Sequence, residues 1–395
     1  MKIKMVATCL FGLESLLGAE IDKLGCKRTE TMDGRIFFEG DEHQLAAANI
    51  RLRFAERVYI NMGEFDAYSF NDLFEGTKAL EWENYIGKYD MFPVKGHAIK
   101  SKLFSVPDCQ SIVKKAIVSR LSDRYGIKIF PEDSGVKYQV EFFIFKDRAT
   151  LMIDTSGTPL HKRGYRIASG DAPLRETLAA AIASIARPSE NTLFWDPFCG
   201  SGTIAIEAAM IATNQAPGLD RGFAAQSFPA FPESIWKEER AIALSEINMD
   251  SEFQAYASDI DAEVLEKAKE NAERAGVDDR IKFFEADARR IKKLDCRGTV
   301  ACNPPYAGER LMSQKDAEKL YAEIGRAFSD LAPWQVYILT SSENFERLYG
   351  ARADKIRKLY NGMIPCTLYQ YYKPAHARTE SAPKNKTYGK GPRHK

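Results

Sequence analysis

The stretch Asp196-Pro197-Phe198-Cys199-Gly200-Ser201-Gly202-Thr203 follows the apolar run Thr192–Asp196 and precedes a helical run, Thr203–Thr213. Glycines at 200 and 202 accept backbone torsions closed to other residues and let the main chain approach a ligand. A helix beginning at Thr203 turns its unpaired N–H groups toward the same spot. Strand, glycine loop and helix in this order open a βαβ unit, so the stretch predicts a cofactor site at the edge of a parallel sheet.

Strand and helix alternate outward from this loop, across roughly 166 to 374. Strands are expected at Thr192–Asp196, Ala255–Ser258, Ile281–Glu285, Thr299–Cys302 and Val336–Thr340, and helices at Thr203–Thr213, Ala262–Ala275 and Lys315–Leu331. A hairpin follows, with Asn361-Gly362 as its turn between Lys358–Tyr360 and Cys366–Tyr372. This is an α/β pattern with a mostly parallel sheet. Residues 214–236, with three prolines and four aromatics, interrupt it as either a lid or packing.

Two cofactor classes fit the loop at first. Gly200-x-Gly202-x-x-Ala205 matches the dinucleotide fingerprint, and Asp220 lies about 20 residues on. Asp220, however, falls in the Pro/Gly-rich insertion and not at a strand end. Asp196, Asp259, Asp287 and Asn303 each fall at or just after the end of a predicted strand, where ligands of parallel sheets collect. No Lys or Arg lies between Phe194 and Asp220 to meet phosphates. Acids suit sugar hydroxyls, an adenine amine and a cationic centre, which points to S-adenosylmethionine. Asp259 is expected on the ribose, Asp287 or the Ala288 backbone at the adenine edge, and Asp196 at the amino-acid end and sulfonium, with Phe198, Gly200, Gly202 and Thr203 forming the loop.

Beside this site the apolar run Gly298–Cys302 stops at Asn303-Pro304-Pro305-Tyr306. A lone Asn-Pro reads as a turn. Next to a methyl donor it reads as catalytic. An exocyclic base amine is a poor nucleophile because its lone pair is delocalised into the ring. The Asn303 side-chain oxygen and the Pro304 carbonyl can accept its two N–H groups and aim the lone pair, the prolines hold the loop in shape, and Tyr306 offers a face for an extruded base. Cys302 reads as a buried strand residue, so no covalent nucleophile is expected.

The remaining composition narrows the class. At 395 residues with 45% hydrophobic content, two or three domains are expected. No apolar run reaches the roughly 20 residues of a membrane span, and no signal segment is legible, so a cytoplasmic protein is expected. Seven scattered cysteines and five histidines without paired spacing argue against disulfides and a protein-held metal. Net charge is only +1, so RNA contact must come from local patches. His161-Lys162-Arg163-Gly164-Tyr165-Arg166 is one, and the Pro/Gly/Ser/Thr-rich tail, with seven Lys/Arg from Lys373 onward against Glu380, is another.

Two small α+β units are expected before this region. The first carries strands at Ile3–Cys9 and Gly34–Glu39 and helices at Leu13–Leu24 and His43–Ile50. The second carries a helix at Asn71–Leu80, a strand at His97–Lys102, a long helix from Pro107 to Tyr125, and strands Tyr138–Phe145 and Ala149–Asp154 around Lys146-Asp147. On the long helix Ile112, Ala116, Ile117 and Leu121 share an apolar face. Lys114 and Lys115 point elsewhere, as RNA contacts of a binding module.

DPFCGSGT at 196–203 together with NPPY at 303–306 resembles the amino-methyltransferases of adenine N6, guanine N2 and glutamine amides. HKRGYR at 161–166 and the run Ala172 to Ala181 resemble the junction between a THUMP domain and the catalytic domain of RlmL-type guanine-N2 methyltransferases of large-subunit ribosomal RNA. The resemblance covers essentially residues 1–374. It implies a ferredoxin-like segment (1–60), a THUMP RNA-binding domain (61–165) and a Rossmann-like class I methyltransferase domain (166–376); the composition of the remainder predicts a basic, disordered tail (377–395). The resemblance also implies that Pro173, Leu174, Glu176 and Thr177 border the methionine end of the cofactor. A tRNA guanine-N2 methyltransferase and a non-catalytic ribosome-assembly factor are the alternatives.

Overall fold

The computed structural model describes residues 2–127, 129–130, 132, 135–166, 174–306 and 312–372. The chain opens with β1 (Ile3–Thr8), α1 (Glu14–Lys23), β2 (Lys27–Met32) and β3 (Arg35–Gly40), followed by α2 (Glu42–Arg51), which Asp41 and Gln44 start through a capping box. After β4 (Arg57–Asp66), Ser69 and Asp72 cap α3 (Phe70–Ala79) in the same way. Next come β5 (Val94–Ile99) and α4 (Val106–Tyr125), which ends where Gly126 takes a φ of +65°. β6 (Val140–Phe145) and β7 (Arg148–Asp154) are joined by Lys146 and Asp147 at φ +50° and +64°, the left-handed pair that a two-residue hairpin turn requires.

These strands form one sheet in the order β2-β3-β1-β4-β7-β6-β5. The 60/61 division expected from sequence falls inside β4, whose residues 57–60 pair with β1 while residues 59–66 pair with β7. The ferredoxin-like and THUMP segments therefore share a continuous ladder. β2 escaped notice because five of its six residues are exposed and it carries no alternation.

The second half contains α5 (Glu176–Ala186), β8 (Leu193–Asp196), α6 (Thr203–Ala212), α7 (Glu233–Ser245), β9 (Ala255–Asp259), α8 (Ala262–Ala275), β10 (Ile281–Glu285), β11 (Gly298–Cys302), α9 (Gln314–Ser329), β12 (Gln335–Thr340), α10 (Phe345–Tyr349), β13 (Lys355–Asn361) and β14 (Ile364–Tyr371). Their sheet order is β10-β9-β8-β11-β12-β14-β13, parallel through β12 and closed by the antiparallel hairpin β13–β14. The winding reverses between β8 and β11, which opens a crevice at their C-terminal ends. α5 and α7 were not anticipated. α5 is buried nearly all round and lacks an amphipathic stripe. Among the described residues no helix is long and apolar enough to cross a membrane.

The 214–236 insertion is packing between the two sheets. Phe228 is 1% exposed and stacks on Tyr138 of the N-terminal half at 4.3 Å between ring centroids, while Phe223 lies flat against Trp236 at 5.4 Å. Gly218 N donates to Ile50 O, and the Arg221 guanidinium caps the carbonyls of Thr158, Pro159 and Lys162.

The basic run 161–166 is also a joint, which corrects its reading as an RNA patch. Arg163 is 4% exposed: it donates to Leu160 O and Arg53 O and pairs with Glu207 Oε1 at 3.4 Å. Tyr165 Oη donates to the same carboxylate, and Arg53 lies 3.9 Å from its other oxygen. Arg166 donates to Leu174 O and Thr203 Oγ1 and pairs with Glu176 at 3.3 Å. His161 and Arg175 converge on Glu56. Of the run's three Lys/Arg residues, Lys162 alone is exposed.

Glu207, with no exposed surface, thus faces two guanidinium groups. Glu207→Gln removes the carboxylate that both buried cations face, leaving Glu20 as the carboxylate near both, and the expected loss is about 3 kcal/mol. At about 2–4 °C per kcal/mol the thermal midpoint then falls by about 10 °C. A calorimetric shift below about 2 °C contradicts a structural role for the pair.

Candidate active site

The loop after β8 is shaped by its two glycines in different ways. Gly200 has φ +50° and open space where a Cβ would project, so it presents bare backbone to the crevice. Gly202, at φ +80°, starts α6, and a Cβ there would lie 3.2 Å from Ala268 on α8, so this residue serves the packing of two helices. Cys199 N donates to Ser258 O, and Gly200 N donates to Asp259 Oδ2 at 2.9 Å, tying the loop to β9.

Above this loop lies a cavity of about 720 Å³ at the C-terminal ends of β8, β9, β10 and β11. Its lining brings together Asp196, Phe198, Gly200, Thr203, Asp259, Asp287, Ala288 and Asn303, eight residues singled out from sequence. Asp196 is 1% exposed and accepts from Phe198 N at 3.1 Å; burial, reinforced by Asp259, pushes its carboxyl well above the usual carboxylate range. Asp259 also accepts from Asp261 N, which turns both of its oxygens inward while leaving lone pairs to spare. Asp287 is gripped by the Arg289 side chain at 2.7 and 2.8 Å, which holds its carboxyl below the ordinary range. Six carboxylates and two cations, Arg289 and Lys319, line the space, and Arg289 is already paired with Asp287 and Glu323. Such a lining disfavours phosphates and suits a ligand with hydroxyls and a positive centre.

Several expected cofactor residues stand elsewhere. Gly202 lies beneath the loop. Glu176 is 4% exposed and faces Arg166, while Thr177 is fully buried and donates to Glu56 Oε1 at 2.6 Å. Thr177 serves the inter-domain joint and Glu176 a pair within the catalytic half, whereas Leu174 does line the cavity. Pro173 lies outside the described residues. Among the expected RNA contacts on α4, Lys115 is exposed, whereas Lys114 donates to Phe92 O and Glu132 and so fastens its helix.

The Asn303–Tyr306 turn follows a strand buried on both faces. Cys302 has no exposed surface, and burial pushes its thiol far up, so it stays protonated. Asn303 is half-buried at the cavity and accepts a short hydrogen bond at Oδ1 from Tyr306 Oη, which Cys366 Sγ approaches to 3.6 Å. Tyr306 itself is only 2% exposed and does not line the cavity. Its expected use as a stacking platform is therefore corrected: the ring is buried, and the phenol donates to Asn303 while Cys366 of β14 meets its oxygen. Pro304 is buried, and Pro305 O accepts from Tyr321 Oη, which sits 3.1 Å from Thr340 Oγ1. Sequence reading missed Tyr321 and Cys366 because they lie 16 and 60 residues from their partners in the turn, with no local pattern.

Family models match three consecutive segments: the RlmL ferredoxin-like domain at 4–59, the THUMP domain at 67–154 and the RMKL-like methyltransferase domain at 163–370. The candidate RNA methyltransferase YpsC of Bacillus subtilis (strain 168) is 43% identical over 387 residues, 96% of this chain and 100% of that one. Ribosomal RNA large subunit methyltransferase K/L of Psychromonas ingrahamii is 34% identical over 371 residues, 91% of this chain but 49% of that protein. SMU.472, a candidate methyltransferase solved in complex with SAH, superposes with a TM-score of 0.86 at 39% identity, covering 94% of this chain and 98% of its own. With the glycine loop, the acidic cavity and the Asn-Pro-Pro-Tyr turn at one switch point, the chain belongs to the RlmKL family of S-adenosylmethionine-dependent RNA methyltransferases.

Proposed function

We propose that this protein methylates the exocyclic N2 amine of a guanine in large-subunit ribosomal RNA. The observation that carries this reading is Asn303, whose amide is held by Tyr306 at the wall of the acidic cavity. Bound S-adenosylmethionine supplies an electrophilic methyl on a cationic sulfur. Asp259 would hold the ribose through its remaining lone pairs, and the buried Asp196 would meet the amino-acid end. Asn303 Oδ1 accepts one N–H of the amine, and the carbonyl of buried Pro304, whose neighbours Asn303 and Pro305 line the cavity, accepts the other. The nitrogen lone pair, no longer spread into the ring, would then be aimed at the methyl, whose transfer would release S-adenosylhomocysteine and one N–H proton to solvent. The cavity is recessed at the strand ends, so a paired base reaches it by leaving its stack. The named substrate of the K/L relative supports ribosomal RNA.

Tritium transfer from S-adenosylmethionine to size-fractionated total RNA, followed by nucleoside analysis, tests this. N2-methylguanosine in large-subunit RNA is expected. Label confined to tRNA overturns the ribosomal target, N6-methyladenosine overturns the guanine, and no label favours an assembly factor.

Asn303→Ala is expected to lower single-turnover transfer by about 10²–10³-fold while S-adenosylhomocysteine affinity, read by calorimetry, stays nearly unchanged. A matching loss of cofactor affinity contradicts this division of labour. Tyr306→Phe separates two roles for the ring: full activity would mean stacking, whereas a phenol that orients Asn303 predicts about a 10-fold fall in kcat with little change in KM for RNA. Asp259→Ala should act oppositely, weakening S-adenosylhomocysteine at least about 10-fold.

A further inference from the structure

The two ends of the catalytic sheet carry opposite charge. At the N-terminal strand ends, opposite the acidic cavity, lies a second cavity of about 1020 Å³. Arg187, Lys293, Arg297, Lys355 and Arg357 line it, against one carboxylate, Asp295. In a chain of net charge +1 this is a strong local accumulation. Arg357 is occupied, donating to Gly12 O at 2.7 Å and Ser15 Oγ at 2.8 Å. The other four cations are exposed and make no salt bridge among the described residues. Like charges gathered with too few acids repel one another, and an anion in their midst relieves that repulsion. Tyr372, 40% exposed, adds an aromatic ring to the same lining.

Edge strand β13 runs from this cavity to the catalytic one, with Phe11, Gly12 and Ser15 of the N-terminal half packed on its middle. Its first residue, Lys355, lines the basic cavity, its last, Asn361, lines the acidic one, and Lys358 is exposed on the opposite face of the strand. Seven strand residues span about 20 Å, the reach of several nucleotides and beyond that of a free phosphate or mononucleotide.

We propose that the substrate RNA lies along the β13 edge, with its backbone phosphates held by Arg187, Lys293, Arg297 and Lys355 while the target base enters the catalytic cavity. This rests on the RNA-methyltransferase assignment but not on which base or RNA is modified. The site is an electrostatic anchor separate from the THUMP segment, and it orients a strand without reading its sequence.

Fluorescence anisotropy of a labelled 30-nucleotide single-stranded RNA, titrated at several salt concentrations, tests it. The variant Lys293→Glu/Lys355→Glu is compared with Lys237→Glu/Lys267→Glu, an equal charge change on α7 and α8, which line neither cavity. The first pair is expected to weaken binding at least about 10-fold and to reduce the slope of log K against log salt by about 1.4, while the second has a small effect. S-adenosylhomocysteine affinity should be unchanged in both, which reports an intact fold. Equal losses in the two pairs, or unchanged RNA affinity in the first, overturn the proposal. Absence of RNA binding by the unaltered protein overturns the RNA reading itself and is recognisable as such.

Discussion

The structure depends on one topological constraint, the reversal of winding between β8 and β11. Because β9 and β10 are laid down on one side of β8 and β11 and β12 on the other, no crossover helix covers the C-terminal ends at the point of reversal. Two turns meet in the gap: a glycine loop that can leave its backbone bare, and a proline-stiffened turn that places an amide. The Gly200–Asp259 hydrogen bond ties the glycine loop to β9, and the Tyr306–Asn303 hydrogen bond closes the proline turn on itself. Asp196, buried between them and difficult to ionise, marks how dry the floor of the crevice is.

A second constraint is the burial of charge at the junction of the two halves. Arg53, Arg163 and Glu207 leave solvent together, each with polar partners, and fix the RNA-binding half against the catalytic half at α6. Hydrophobic contact from the 214–236 segment closes the same joint. Next to that joint, Arg166 reaches Thr203 at the mouth of the glycine loop.

Much of the catalytic half was legible in local pattern. Six of its seven strands follow apolar runs ended by turn residues, and Ala262–Ala275 begins and ends as its caps dictate, at Asp261 and Gly276. Elements without periodicity were not legible: exposed β2, and α5, which is apolar on every side. The continuity of the N-terminal half across residue 60 was not legible because β4 is a single strand with a partner on each edge, and pairing is a property of two segments.

The sequence by itself determined the chemistry on offer: glycines in the cofactor loop, acids at successive strand ends, and an amide stiffened by prolines. These are properties of residue type and near-neighbour order, and they survive in any correct tertiary arrangement. Only the tertiary structure decided which polar residues face the cavity and which are consumed by the protein. Arg163 and Thr177 carry the same side chains whether they meet RNA, cofactor or one another, and burial against partners 44 and 121 residues away settles the matter. Tyr306 shows this most directly. Its ring suggested a stacking face, but it is buried, and its phenol donates to Asn303 with Cys366 of β14 beside it.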